Sequence, residues 1–506
     1  MNGWRAGISE RRLGSIVDVR RSARSASLRQ RLRALVGALD ERQVPPESGR
    51  ELIPLVVRLL SAPDQSTVWL TLAVLRAELP LEADVIAAAR EIALDGPLDV
   101  LRRILLPSAN PLHRGRELRT VTVMSGTVLV DVEHTSHTAL ATGIQRVARQ
   151  TTSRWSRDHE ITLVGWTQDH RAMRLLDESE RAVALRGGDE TTVHHVGGDG
   201  TIVVPWGATY ILPELATEMR RTNRLLALAR FSRSRTSVIG FDCVPLSSGE
   251  TIGAEMGTAF ANNLAAVRHM DRVAAISHAA AREYEGWREM LVGVGLPGPG
   301  IATIMLPVEA EKPTPHAVEM VRSTLTTDAL PLILCVGSHE PRKNHLAVLQ
   351  GAELAWRAGT RFSLVFVGGN SWGGEGFRER MSELQEAGRP VQSVSALSDD
   401  LLWAAYDVAR CVVFPSLNEG YGLPVAEAIA SGTPVITSSF GSMQEIGQAG
   451  GALLVDPRDD HAIAQAITTL VDDEQAHARL VTEARDVPGR TWDQYATEAW
   501  EYVVGG

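Results

Sequence analysis

The sequence predicts an α/β protein of two Rossmann-like domains preceded by a small all-helical module, and three observations carry that expectation. From about residue 118, short apolar stretches alternate with helical patterns, as parallel strands joined by crossover helices do. A proline-punctuated segment of mixed charge, Leu306–Pro315, divides the alternation into two sets. Ahead of residue 118 the apolar positions recur only at helical spacing.

The helical part is legible in Leu52, Leu55, Val56, Leu59 and Leu60, and again in Val85, Ile86, Ala89, Ile92 and Ala93. Pro45, Pro46, Pro63 and Pro80 mark helix boundaries, and a linker is expected around Pro107–Pro111. Strands are expected at Val128–Val132, Ile161–Trp166, Thr201–Pro205, Ser237–Phe241 and Val273–Ile276 in the first set. The second set is Leu332–Val336, Ser363–Val367, Val391–Ser395, Val412–Phe414 and Pro434–Thr437. The expected units are therefore 1–115, 118–310 and 316–490, followed by an amphipathic helix at 491–506 that Pro488 and Gly489 set off.

Composition excludes several classes of function. No stretch approaches the roughly eighteen consecutive apolar residues of a membrane span. Met1–Arg24 is rich in arginine and lacks the apolar segment of a secretory signal. Cys243, Cys335 and Cys411 lie at or near apolar strands without metal-ligand spacing, which suits buried thiols in a reducing cytoplasm. A net charge of −10 argues against nucleic acid as a partner. Against that acidic background Arg11, Arg12, Arg20, Arg21, Arg24, Arg29, Arg31 and Arg33 form a basic amino-terminal arm, suited to solvent, a protein partner or an anionic membrane surface. The expected location is cytoplasmic, with peripheral attachment at the inner membrane surface as a variant.

The segment Phe414–Glu427 carries the most chemistry. It places Glu419 and Glu427 astride a glycine-rich turn between an apolar strand and a short helix. Gly420 and Gly422 free the backbone to turn, Pro424 suits the first helical position, and Gly432 closes a helix of about two turns. The helix N-terminus then faces the carboxyl edge of a parallel sheet, where a diphosphate would sit. A solvated loop acid and a first-turn helix acid would account for the two glutamates without any ligand. The whole string Pro415–Val435, however, resembles the retaining nucleotide-sugar glycosyltransferases of family 4, the group 1 family, whose GT-B fold sets two Rossmann-like domains face to face.

A second loop, Val336–His345, joins a strand to a helix. Gly337 permits close approach there, and Arg342 and Lys343 bring two cations to a helix start, where positive charge is otherwise disfavoured. It resembles the element of the same family whose basic residues hold the donor diphosphate. The glycine cluster Gly368–Gly376 lacks the Lys-Ser/Thr of a phosphate-binding P-loop and reads equally as a surface loop. Leu397 stands where family members cover the nucleotide base.

In the first half, Thr142–Val147 opens a helix with Gly143 and Arg146, and resembles a subset of these enzymes, many of them mannosyl- or related hexosyltransferases of polysaccharide assembly. Asp131-Val-Glu133 mimics the metal motif of the other glycosyltransferase fold and is discounted, because that fold lacks the paired glutamates and the two Rossmann-like halves. Asp242, within Asp-Cys-Val-Pro245, and Ser277-His278 lie at strand ends, where turn chemistry alone would also place them. His134 and His278 read equally as satisfied structural histidines. Trp492 stands where the family often carries a tryptophan, on a final helix that commonly crosses back to the first domain.

The resemblance implies a hexosyltransferase with Arg342, Lys343 and Glu419 as catalytic residues. Donor-binding residues would be Gly143, Gly337, Leu397, Gly420, Tyr421, Gly422, Leu423 and Glu427, and Arg146, Asp242, Ser277 and His278 are acceptor or cleft candidates. It implies neither metal nor cofactor, a nucleotide-diphosphate sugar as donor with GDP-mannose the leading case, and a glycan, lipid-linked glycan or small-molecule acceptor. A GT-B epimerase or phosphorylase, and a non-catalytic scaffold working through its helical module, are the alternatives.

Overall fold

A computed structural model describes residues 9–18, 23–105, 118–138, 142–187, 201–251, 253–307, 309–327, 330–395 and 397–505. The linker expected at Pro107–Pro111 and the arm residues Arg20 and Arg21 lie outside the described residues.

Two sheets organise the described residues. The first holds β1 (Thr120–Met124), β2 (Val128–Asp131), β3 (Ile161–Trp166), β4 (Met173–Leu175), β5 (Thr201–Pro205), β6 (Thr209–Leu212), β7 (Arg235–Gly240), β8 (Arg272–Ala275) and β9 (Gly300–Thr303). Their order is β1-β5-β4-β3-β2-β6-β7-β8-β9, parallel except where β4 pairs with β3 and β5. The second sheet holds β10 (Leu332–Val336), β11 (Ser363–Val367), β12 (Val391–Val394), β13 (Cys411–Phe414), β14 (Val435–Ser438) and β15 (Ala452–Val455). It runs β12-β11-β10-β13-β14-β15 and is parallel throughout.

Strands β10, β11, β13 and β14 are buried along their whole length, and β10 and β13 are the continuous apolar runs expected of strands covered on both faces. Strand order reverses between β10 and β13, so the loops after these two strands splay apart and leave a crevice at the carboxyl edge. Every expected strand is present within one or two residues. Five strands were not expected: β1 and β6, although both are β-branched or apolar, and β4, which is three residues long, half-buried β9, which includes a glycine, and β15, which follows Gly450-Gly451.

The amino-terminal helices Ala23–Leu39, Gly49–Leu59, Gln65–Arg76, Glu82–Asp95 and Pro97–Leu105 break where the prolines predict. They are not a body apart. Leu32, Leu35, Trp69 and Leu72 share one apolar core with Val121, Val203, Leu225 and Phe231 of the first α/β domain. Edge strand β1 is closed by side chains: Gln30 Nε2 donates to the Val121 carbonyl at 2.6 Å, and the Val121 N–H donates to Gln30 Oε1 at 3.0 Å. This cover corrects the reading of a free basic arm. Arg31 is buried and donates to the Arg119 carbonyl, Arg29 donates to that of Val17, and Arg33 pairs with Glu47.

The final helix, Trp492–Val503, crosses to the first domain. Trp155 Nε1 donates to the Ala496 carbonyl at 2.8 Å, and Ser237 Oγ donates to that of Val503 at 3.1 Å. Among the described residues no helix is long and apolar enough to cross a membrane.

Candidate functional site

The crevice of the second sheet is built by backbone that approaches too closely for side chains. A Cβ on Gly368 would lie 2.0 Å from the Gly337 carbonyl oxygen, and one on Gly337, where φ is +143°, would lie 2.8 Å from Lys343 Cδ. A Cβ on Gly373 would meet Pro341 Cγ at 2.8 Å, so the glycine cluster lies against the Arg342–Lys343 loop. Pro341–Lys343 form a tight turn ended by Asn344, whose Nδ2 donates to the carbonyls of Pro415 and Pro457 at 3.1 and 2.7 Å. The Leu417 N–H donates to the Arg342 carbonyl at 2.7 Å, locking this loop to the one after β13.

Three charges meet where the two loops touch. Arg342 Nη1 lies 2.6 Å from one Glu419 oxygen and Lys343 Nζ 3.0 Å from the other, with side-chain exposures of 19%, 11% and 11% for Arg342, Lys343 and Glu419. Arg342 Nε also reaches Glu340 at 2.8 Å. Burial alone would raise the Glu419 carboxyl, but the two cations outweigh it and hold it at about 2. The acid is therefore a permanent anion at neutral pH.

The first domain forms the opposite wall. A Cβ on Gly420 would lie 2.4 Å from the Phe241 carbonyl oxygen and 2.8 Å from Asp242 Oδ2, and Ser277 Oγ donates to the Gly420 carbonyl at 2.6 Å. Burial raises the Asp242 carboxyl to about 6 against the pull of Arg342, with Glu283 and Glu419 pushing the same way as burial. Asn418 Nδ2 donates across the boundary to Ser247 and Ser248 at 3.1 and 3.0 Å. Glu427 lies on the helix Leu423–Ala430, where one of its oxygens accepts from Tyr406 Oη at 2.8 Å and the other pairs with Arg146 of the first domain.

Residues 319–487 match the family model described as glycosyl transferases group 1. The second α/β domain is a group 1 glycosyltransferase domain. The Escherichia coli serotype-specific mannosyltransferase WbdA is 25% identical over 334 residues, 63% of this chain and 40% of that protein. The Escherichia coli O-antigen chain mannosyltransferase B is 33% identical over 171 residues, 33% of this chain and 43% of that one. The chain thus spans less than half the length of these two relatives. Anabaena HepE, solved in complex with UDP and glucose, superposes with a TM-score of 0.53 at 13% identity, covering 75% of this chain and 100% of HepE. That likeness is one of fold, and the fold is GT-B.

Within the glycosyltransferase domain, Gly337, Arg342, Lys343, Glu419, Gly420, Gly422, Leu423 and Glu427 gather about the crevice, joined from the first domain by Gly143, Arg146 and Asp242. Gly143 faces Leu423, whose Cδ1 lies 3.6 Å from where a Cβ would stand. Gly422 needs its freedom, since φ there is +104°. Other expectations change. Glu427 is the fifth residue of its helix rather than a first-turn acid, and it is buried. Tyr421 turns away from the crevice, its hydroxyl donating to the Leu306 carbonyl at 2.9 Å. Leu397 packs at the margin of the apolar core. Ser277 caps the helix His278–Gly293 through the Ala280 N–H, while the exposed His278 contributes its backbone N–H to Glu445.

Asp131 proves structural. It is fully buried and accepts from Tyr210 Oη at 2.5 Å, Trp166 Nε1 at 2.7 Å and Arg221 Nη2 at 2.9 Å. Sequence reasoning missed Tyr406, Trp403, Glu340 and Asn418. The first two sit at core spacing in the apolar helix Asp399–Val408, and nothing local marks them as neighbours of Glu427.

Proposed function

We propose that the chain is a retaining glycosyltransferase that moves a hexose, mannose in the leading case, from a nucleotide-diphosphate sugar to a hydroxyl of a glycan or lipid-linked glycan, without a metal in the chemical step. The observation that carries this reading is the buried knot of Arg342, Lys343 and Glu419. Two cations held in place before any ligand arrives suit a diphosphate that gains charge as the sugar–phosphate bond breaks, because no reorganisation is needed at that moment. Glu419, ionised at neutral pH, cannot give up a proton. It suits accepting from donor-sugar hydroxyls and steadying positive charge at the reacting carbon.

Asp242 stands on the opposite wall with a carboxyl raised to about 6, still mostly ionised at neutral pH, and suits holding the acceptor hydroxyl as it attacks from the face the diphosphate leaves. GDP-mannose is the first donor to try, on the strength of the Thr142–Val147 string and the mannosyltransferase relatives. A lipid-linked acceptor would bring the protein to the cytoplasmic membrane face.

The test is incubation with GDP-, UDP- and ADP-sugars and candidate acceptors, followed by mass analysis. A transferase adds one hexose to the acceptor. A changed donor sugar with no gain of acceptor mass would make the chain an epimerase and overturn the proposal. Full loss of activity in EDTA with recovery on adding Mn²⁺ would overturn metal independence.

A further inference from the structure

We propose that Arg146 competes with the donor ribose for Glu427, so that a cation from the first domain sets the affinity of the second for its nucleotide. The proposal rests on the glycosyltransferase reading above, in which the buried acid on the helix Leu423–Ala430 receives the ribose hydroxyls. Both oxygens of that acid already have protein partners: Tyr406 Oη on one, the Arg146 guanidinium on the other. A ribose diol that reaches the carboxylate has to share it with these partners, and the guanidinium that crosses from the first domain to one of its oxygens is the partner able to yield.

Tyr406 is fully buried and cannot withdraw. Arg146 can, being one-quarter exposed at the tip of a long side chain. Its place argues against a purely structural role as well. Arg146 stands in the first turn of the helix Gly143–Asp158, where the helix dipole disfavours a cation. What holds it there is the Glu427 charge and the face of Trp403, whose ring centroid lies 5.8 Å from the guanidinium carbon. Glu427, for its part, would be a poorly compensated buried anion without Arg146. The ion pair therefore keeps the empty site stable, and each binding event must pay to open it.

A ligand whose binding-competent state is only a minor population loses affinity by that fraction, and removing the competitor restores it. The experiment is calorimetric titration of the full chain with GDP, UDP and ADP, repeated with the 2′,3′-dideoxy form of whichever binds. Arg146→Ala should tighten the ribonucleotide by about tenfold, since the competing ion pair is gone, and leave the dideoxy form unchanged. Arg146→Gln, which keeps the bulk of the side chain, should shift affinity the same way and serves if the alanine variant misfolds. Arg146→Lys, retaining the charge, should tighten less than either. Unchanged or weaker ribonucleotide binding in both neutral variants would overturn the proposal while leaving the donor reading standing. Binding of none of the three diphosphates to the parent chain or to either variant would overturn both.

Discussion

At the scale of single residues, the site is a balance between burial and compensating charge. Glu419 is stable as an anion only because Arg342 and Lys343 contact it, and the same contacts keep both cations in position. Lys343→Ala should lower kcat/KM by about a hundredfold or more, the size of a lost contact to developing transition-state charge, in steady-state assays with the donor that the sugar screen identifies. Asp242 is the opposite case. Its folded-state value of about 6 stands above the ordinary 3.8, so the folded protein binds this proton more tightly than the unfolded chain. Stability is lost as pH rises through that window and stays lost above it. Asp242→Asn should therefore raise the melting temperature at pH 8, leave it nearly unchanged at pH 3.5, and still depress transfer. A fall in melting temperature at pH 8 would contradict the electrostatic account. These charged residues were legible in sequence because they stand where fold alone gives them no reason to be: cations at a helix start, an acid in a glycine turn. Tyr406 was not, because a buried hydroxyl finds its partner only after the helices have packed.

Among elements, the turn from β13 into the helix Leu423–Ala430 does the positioning, and its glycines do so by what they lack. The Gly420 backbone lies against Phe241 and Asp242 of the first domain with no room for a methyl group. Gly420→Ala should push the Asp242 wall away and cut turnover by about tenfold to a hundredfold, as small misplacements of reacting groups do, while circular dichroism shows an intact fold. The strands read most clearly were those buried along their whole length, though largely buried β6 went unread. Fully buried β10 and β13 are unbroken apolar runs, whereas three-residue β4 and half-exposed β9 draw their identity from the neighbours they pair with. Ser277 and His278 show the limit of reading position along a chain. Both stand at the end of β8, yet the Ser277 hydroxyl accepts from the Ala280 N–H and donates to the Gly420 carbonyl, while His278 turns to solvent.

For the whole molecule, the sequence divided the chain where its periodicity changed, but the core ignores that division. The amino-terminal helices bury their apolar faces on the first sheet, and Gln30 completes β1. Removing residues 1–105 should strip that core and leave an unpaired sheet edge, so the truncated chain should aggregate instead of yielding an active two-domain enzyme; a soluble, cooperatively melting product would refute this. Such integration is invisible to a reading based on helix and strand periods, which reports what each segment is and not what it lies against. The chain also passes between the domains near Leu306, and there the Tyr421 hydroxyl is anchored to the crossing segment from the middle of the glycine-rich turn. That bond pins the Gly420–Leu423 turn to the segment on which the chain changes domain, so the turn and the crossing are held at one fixed spacing.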